Sequence, residues 1–450
     1  FLKALGVRLK EAVHKDEREF IPCFDHKKRN WHGIMKESAK AALQRELDSL
    51  GVEKLTHTTV TDIFIKDGRV SGAAAVKKQD NEDVLITIGC SSIIIASGGL
   101  GGLFKYRLNT PDVMGMGQYL ALKAGASLIN LEFMQMMPGF IKPAPKTIFN
   151  EKVFRYSEFY NARTGESIFE DISLQELKNI LEIRSGHGPF TCRLGCEKVD
   201  IRLYQEFIKN ESGVLLRYSR ELKDNQPEFV KIYFDWLKEE KGINLDDPVH
   251  IGIFAHASNG GIYIDTKAET GVKGLFACGE ATGGMHGADR LGGLSTANAL
   301  VYGKIAGISA AEYGSLINPE IPEENPVLSC IPQADALLEK IRSINYHSAM
   351  IVRHKAQLNW ALEQIAEIKN EAENSRQALE HNMAAGRQYQ RMRRLEAAIV
   401  LSEAMLSAML LRAESRGSHY RADYTTKNNE LAKPVICKLR DGKTVLSFME

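Results

Sequence analysis

The sequence predicts an α/β domain that is interrupted by a second domain and followed by a mainly helical region. Three observations carry this. Two apolar runs, 93–96 and 272–279, read as buried strands that end in glycine-rich corners. A stretch of different texture, about 136–250, separates them, with Pro138, Pro143 and Pro145 breaking it into helical and irregular pieces. After "IPEENP" (321–326) the apolar residues recur three and four apart, as helices require.

The elements follow in order. Residues 31–51 put Leu43, Leu47 and Leu50 on one helical face and stop at Gly51. Two alternating runs flank Asp67-Gly68, the signature of a tight hairpin, and a third strand covers 84–89. A short helix is expected over 112–125, and another in "QPEFVKIYFDWLKEEKG". A helix beginning near Ser295-Thr296 follows the second glycine corner. "RMRRLEAAIVLSEAMLSAMLLRAESRG" reads as one long helix stopping at Gly417, and a strand pair is expected around "PVICKL" and "TVLSFM".

The 450 residues suffice for a large core and more than one domain. The net charge of +1 gives no electrostatic argument for nucleic acid. Seven scattered Cys, an odd number, suit a reducing, cytoplasmic setting. "CRLGC" (192–196) lacks a second ligand pair, so no metal is expected. No run of 18 apolar residues and no signal-peptide pattern occurs, so no direct membrane span is expected.

"SGGLGG" (97–102) and "CGEATGG" (278–284) are the two corners. Glycine keeps no side chain between backbone and ligand and tolerates positive φ. Such a corner between strand and helix aims backbone N–H groups at a bound anion or polar ring edge. A flavin suits it, because the N1/C2=O edge gains negative charge on reduction. The alternative is a pair of tight structural turns. Glu280 stands where a carboxylate would accept hydrogen bonds from ribityl or ribose hydroxyls.

The run "FAHASNGGIYIDTKAETGVKGLFACGEATGGMHGADRLGGLSTANALVYG" resembles the flavoprotein family of fumarate reductase, succinate dehydrogenase and L-aspartate oxidase. "SIIIASGGLGGLFKYRLNT", "GMGQYLALKAGASLINLEFMQ" and "ESRGSHYRADY" resemble segments of the same family. The resemblance implies an FAD-binding Rossmann-like domain (1–135 and 251–320), interrupted by an α+β capping domain (136–250). A C-terminal, mainly helical domain (321–450) follows. FAD is the implied cofactor, with Ser97, Gly98, Gly99, Glu280, Gly292, Ser295 and Thr296 around it. His256 and Arg290 occupy the places of the residues that hold a substrate carboxylate, and Asn259 and His286 adjoin them. Arg suits bidentate carboxylate binding.

Three departures matter. The family's His-Pro-Thr becomes Met137-Pro138-Gly139, which puts an apolar Met137 in the expected pocket. The family's cap pattern, roughly "RDxVxR", is matched only at Arg184; its first arginine falls on Asn179, with Lys178 beside it. Arg184 is therefore a candidate catalytic residue, and the proton donor stays open among it and its neighbours Lys178, His187 and Arg193. No glycine-rich dinucleotide turn precedes residue 97, so upstream residues are expected to carry it; the alternative is a remnant that no longer binds FAD.

The expected activity is FAD-dependent reduction of a carbon–carbon double bond beside a carboxylate, on a substrate other than plain fumarate. The alternatives are an oxidase or dehydrogenase of an amino or carboxylic acid, and a non-catalytic subunit of the same fold. The expected partners are an unsaturated or saturated carboxylate and a separate electron donor or acceptor protein. A cytoplasmic location, peripheral to a membrane complex, accords with this.

Overall fold

The computed structural model describes residues 1–11, 13–14, 32–80, 82–323, 326–379 and 385–450. The hairpin forms as expected. Thr58–Lys66 pairs antiparallel with Arg69–Gln79 across Asp67 and Gly68, both at positive φ, and Glu82–Gly89 adds the third strand. Two successive positive φ values match the right-handed twist of the flanking strands.

The two apolar runs pair with each other. Ile93–Ile95 lies parallel to Leu275–Ala277, with Ile93 opposite Leu275 and Ile95 opposite Ala277. Both glycine corners therefore leave the same end of the same sheet. This is where open α/β sheets place ligands. The helix Met116–Lys123 follows the first corner, and Leu294–Gly314 follows the second.

The middle region contains more regular sheet than its prolines suggest. Met134–Lys142, Val249–Ser258, Val214–Tyr218 and Ser157–Asn161 lie side by side in that order, all antiparallel. Pro138 sits inside the first of these, opposite Ile253. It is tolerated because this strand is at the edge of its sheet, where a missing N–H breaks no second ladder. The incoming and outgoing strands pair with each other, so positions 136 and 250 both lie within one sheet. The helices Leu174–Arg184, Glu197–Lys209 and Glu228–Lys241 cover the region; the last ends at Gly242 in the left-handed conformation.

The C-terminal part packs the helices Ala334–Ser348, Lys355–Asn374 and Ala385–Leu411 together. The last of these ends at Leu411, six residues before Gly417. Buried ion pairs take over beyond it: Arg412 reaches Glu132 at 2.6 Å and Glu414 at 3.0 Å. The final strands Val435–Arg440 and Lys443–Phe448 join Leu128–Ile129 and Gly261–Ile262 in a four-stranded sheet. The chain end is thus stitched to the segments that carry the site. The expected apolar face at Leu43, Leu47 and Leu50 differs: all three remain exposed on or beside the helix Lys36–Ser49.

Candidate active site

His256 is placed by a break in strand register. Ala255 pairs with Met136 and Ala257 with Gln135, so His256 is an extra, bulged residue. A bulge interrupts the ladder and re-aims the side chain it carries. Here the imidazole faces a cavity of about 270 Å³.

Arg290 faces the same cavity from the loop before the helix Leu294–Gly314. Its Nε donates to Gln135 Oε1 at 2.9 Å, and its Nη1 donates to Ser295 Oγ at 3.3 Å. Gln135 Nε2 donates back to the Arg290 carbonyl at 3.4 Å. The loop is held from two more sides. Thr191 Oγ1 donates to Asp289 at 2.8 Å, and Arg193 Nε to the same oxygen at 3.2 Å. Ser418 donates to the Ala288 carbonyl through both its amide and its hydroxyl, at 3.0 and 3.1 Å. A Cβ at Gly417 would lie 2.5 Å from that carbonyl, so the approach requires glycine.

The cavity lining is chemically mixed. His256, Ser258, Glu280, His286, Ser295, Asn298 and Asn109 line it with polar groups beside the charged Arg290, and Leu108 and Ile148 add aliphatic surface. Burial, and then the charge of Arg290, push His256 down to about 4. The same two causes lower His286. Burial raises Glu280, opposed by the Ser258 amide that donates to its Oε1 at 3.0 Å. Both imidazoles are thus held neutral near pH 7, and Arg290 supplies the positive charge.

The profile described as FAD binding domain matches residues 12–165 and 201–296, more than half of the chain. A second, described as fumarate reductase flavoprotein C-term, matches 339–446. The chain belongs to the flavoprotein family of fumarate reductase, succinate dehydrogenase and L-aspartate oxidase.

Among its relatives is a subunit of the fumarate reductase (CoM/CoB) of Methanothermobacter marburgensis. The two are 29% identical over 427 residues, covering 88% of this chain and 72% of that one. The L-aspartate oxidase of Saccharolobus solfataricus is 27% identical over 393 residues, covering 82% and 68%. Mycobacterium smegmatis Sdh1, solved in complex with UQ1, shares the fold at a TM-score of 0.78 and 23% identity, covering 100% of this chain and 79% of that one. Family members are FAD-dependent oxidoreductases acting on CH–CH or CH–NH bonds, and this chain is an FAD-dependent oxidoreductase.

The residues present fit FAD, the family's cofactor. A Cβ at Gly99 would lie 2.3 Å from Ser258 Oγ and 2.4 Å from Glu280 Oε1, so bare backbone closes the first corner. Gly98 and Gly279 take φ values of +80° and +66°. Gly293, at φ +76°, opens the helix Leu294–Gly314 without a side-chain cap, which leaves its first N–H groups for an acceptor. Asn298 Oδ1 is buried and has no partner in the protein. Carboxylate, helix N-terminus and unpartnered amide together suit a ligand with hydroxyls and a polar ring edge.

The remaining expected residues divide. Ser97 and Thr296 are exposed beside the two corners, and Gly292 is half-buried. His286 lines the cavity. Arg184 does not. Its Nε and Nη2 meet Asp200 at 2.5 and 2.9 Å, it donates to the His187 and Gly188 carbonyls, and it is 2% exposed. With every arm of the guanidinium engaged inside the cap, Arg184 sits in a buried ion pair outside the cavity lining. Met137 is also not part of the wall: it is buried opposite Phe254, on the strand face it shares with Gln135 and Gly139. Asn259 is fully buried behind the lining, with both side-chain polar atoms unpartnered. Cys192 and Cys196 are pushed up to about 12 and about 11, chiefly by burial, which fits inert thiols. No metal-holding cluster occurs among the described residues, and no described helix is long and apolar enough to cross a membrane.

Sequence reasoning missed Gln135, Leu108, Asn109, Ile148 and Asn298. Gln135 had a signal, since it closes the segment "EFMQ" that resembles the family. Leu108 and Asn109 lay in the segment "FKYRLNT" that also resembles the family; Ile148 had no signal, because chain topology alone brings it to Gly139.

Proposed function

We propose that this protein reduces a carbon–carbon double bond beside a carboxylate, on a substrate other than plain fumarate. The convergence of Arg290 and the bulged His256 on one cavity carries this reading. Bound FAD supplies hydride chemistry at its N5. Gly98 and Gly99, Glu280, and the helix start at Ser295 and Thr296 would hold it.

Arg290 binds the substrate carboxylate. Its Nε is fixed on Gln135 and one Nη on Ser295, so the guanidinium is orientated before substrate arrives. Drawing electrons toward that carboxylate stabilises the negative charge that develops beside it as the double bond is attacked. Neutral His256 offers a hydrogen bond without a second charge. The protonated fraction of His286, small near pH 7, delivers the proton to the adjacent carbon. Burial and Arg290 disfavour its charged form, so an imidazolium there is a stronger acid than usual. In this reading a separate donor protein supplies the electrons.

The test is anaerobic mixing of the reduced, FAD-loaded protein with unsaturated carboxylates. Reoxidation of the flavin with formation of the saturated acid is expected. Arg290→Lys should lower kcat/KM by about 10²-fold, because lysine cannot make the bidentate grip. A chain that binds FAD yet reduces none of these acids overturns the reading.

A further inference from the structure

The aliphatic part of the cavity lining deepens the proposed function and rests on it for the identity of the reacting bond. Leu108 and Ile148 supply this aliphatic wall, and both lie beside Gly139. A Cβ at Gly139 would lie 2.8 Å from Leu108 Cδ2 and 3.1 Å from the Phe254 ring. Ile148 forms an isolated bridge with Gly139. Any side chain at 139 would therefore compete with Leu108 for its place. The glycine leaves room for the Leu108 side chain against the strand Met134–Lys142, and Met137 shares its face. Leu108 is tied down by its own amide, which donates to the Ala255 carbonyl at 2.9 Å, next to His256.

Charge points the same way. Among the described lining residues Arg290 is the one cation. Asn109 stands beside Leu108 and is neutral; its Oδ1 is buried without a partner. Arg107, next in the chain, is not in the lining; its Nη1 is spent on the Phe104 and Lys105 carbonyls, and its Nε is buried without a hydrogen-bond partner. A second carboxylate set against Leu108 and Ile148 would lose water and meet no cation among the lining residues besides Arg290. An alkyl or aryl group would lose water and gain aliphatic contacts.

We propose that the substrate carries a single carboxylate, gripped by Arg290, and an apolar substituent seated against Leu108 and Ile148. Unsaturated monocarboxylates with an alkyl or aryl group across the double bond are the class that fits. Dicarboxylates of fumarate's kind are disfavoured by the same wall.

The experiment compares fumarate, crotonate and 3-phenylpropenoate as oxidants of the FAD-loaded protein, with reduced methyl viologen as the electron donor. Calorimetric titration with succinate, butyrate and 3-phenylpropionate reads binding separately from turnover. The expected result is kcat/KM at least about tenfold higher for the better monocarboxylate than for fumarate, with butyrate or 3-phenylpropionate binding more tightly than succinate. Leu108→Lys should shift the ratio toward fumarate by a further factor of about ten or more, because it adds the missing counter-charge. Leu108→Ala should weaken the apolar acids more than succinate. Fumarate ranking first, or a ratio that Leu108→Lys leaves unmoved, overturns the inference. If no acid is reduced but the saturated acids still bind in the expected order, the reductase reading falls and the inference about the ligand stands.

Discussion

Gln135 and Arg290 hold each other by two hydrogen bonds, one to the guanidinium Nε and one back to the arginine's own carbonyl. They stand 155 positions apart and come from distant segments of the chain. Gln135 is fully buried and Arg290 is 9% exposed. Gln135→Leu should therefore leave an unsatisfied buried donor on Arg290 and free it to rotate. The expected result is a fall in kcat/KM of about 10- to 100-fold, with Gln135→Glu weakening carboxylate binding further by neutralising the guanidinium. Titration of a carboxylate ligand checks this directly; affinity within about twofold of the parent would remove Gln135 from its positioning role.

Arg184 and Asp200 make the opposite kind of pair, closed on itself inside the cap at 2% and 1% side-chain exposure. Removing one partner strands a buried charge, at a cost of about 3–5 kcal/mol. Asp200→Asn should lower Tm markedly in a thermal melt. Replacing both residues with Met and Leu should recover most of that loss. Turnover per folded molecule should stay near the parent value in the double variant. Abolished turnover with normal stability would restore Arg184 to the chemistry.

The pH dependence of stability has a definite sign. His256 titrates near 6.5 when unfolded and near 4 when folded. His419, fully buried against Arg353 at 2.6 Å, is lowered as well, by burial first and then by Arg353. Below 6.5 the unfolded chain binds protons that the folded one refuses, so stability is lost as pH falls toward 4. His256→Gln should remove about 2 kcal/mol of that acid sensitivity, allowing for the part exposure of the ring. Denaturant midpoints between about pH 7 and pH 4.5 measure it, and parallel curves for parent and variant would contradict it.

The pH dependence of turnover runs with protonation of His286. A proton donor must carry its proton, so kcat should fall as pH rises, with an apparent pKa below the ordinary histidine value. His286→Gln should flatten this profile and lower kcat by about 10²-fold. A variant that keeps the parent's sloping profile would move proton delivery elsewhere.

How much of this was legible in the sequence depends on the range of the interaction. The Asp67-Gly68 turn, the glycine corners and the helix Glu228–Lys241 follow from local rules of φ and periodicity, and they formed as read. Pro138 misled because an edge strand forgives proline, and edge position is a property of the whole sheet. The placement of Arg184 was illegible for a similar reason. Its spacing matched a motif, but whether a guanidinium faces a cleft or an aspartate depends on Asp200 one helix later. Leu108 and Gly139 are far apart in the chain, and nothing in either neighbourhood announces their contact.

Gly99 offers the sharpest test of the cofactor cradle, because its environment leaves no room at all. An added methyl would stand 2.3 Å from Ser258 Oγ and 2.4 Å from Glu280 Oε1, and below about 3 Å something must move. Ser258 is held by the Leu100 amide at 3.3 Å and holds Glu280 through its own, so the shift would pass straight to the carboxylate. Gly99→Ala should thus lose most bound FAD, read as the flavin-to-protein absorbance ratio after reconstitution. Glu280→Gln keeps the shape and removes the charge, and should weaken FAD by about tenfold while the fold survives. If Gly99→Ala retained full flavin while Glu280→Gln lost none, neither the corner nor the carboxylate would be part of the cradle.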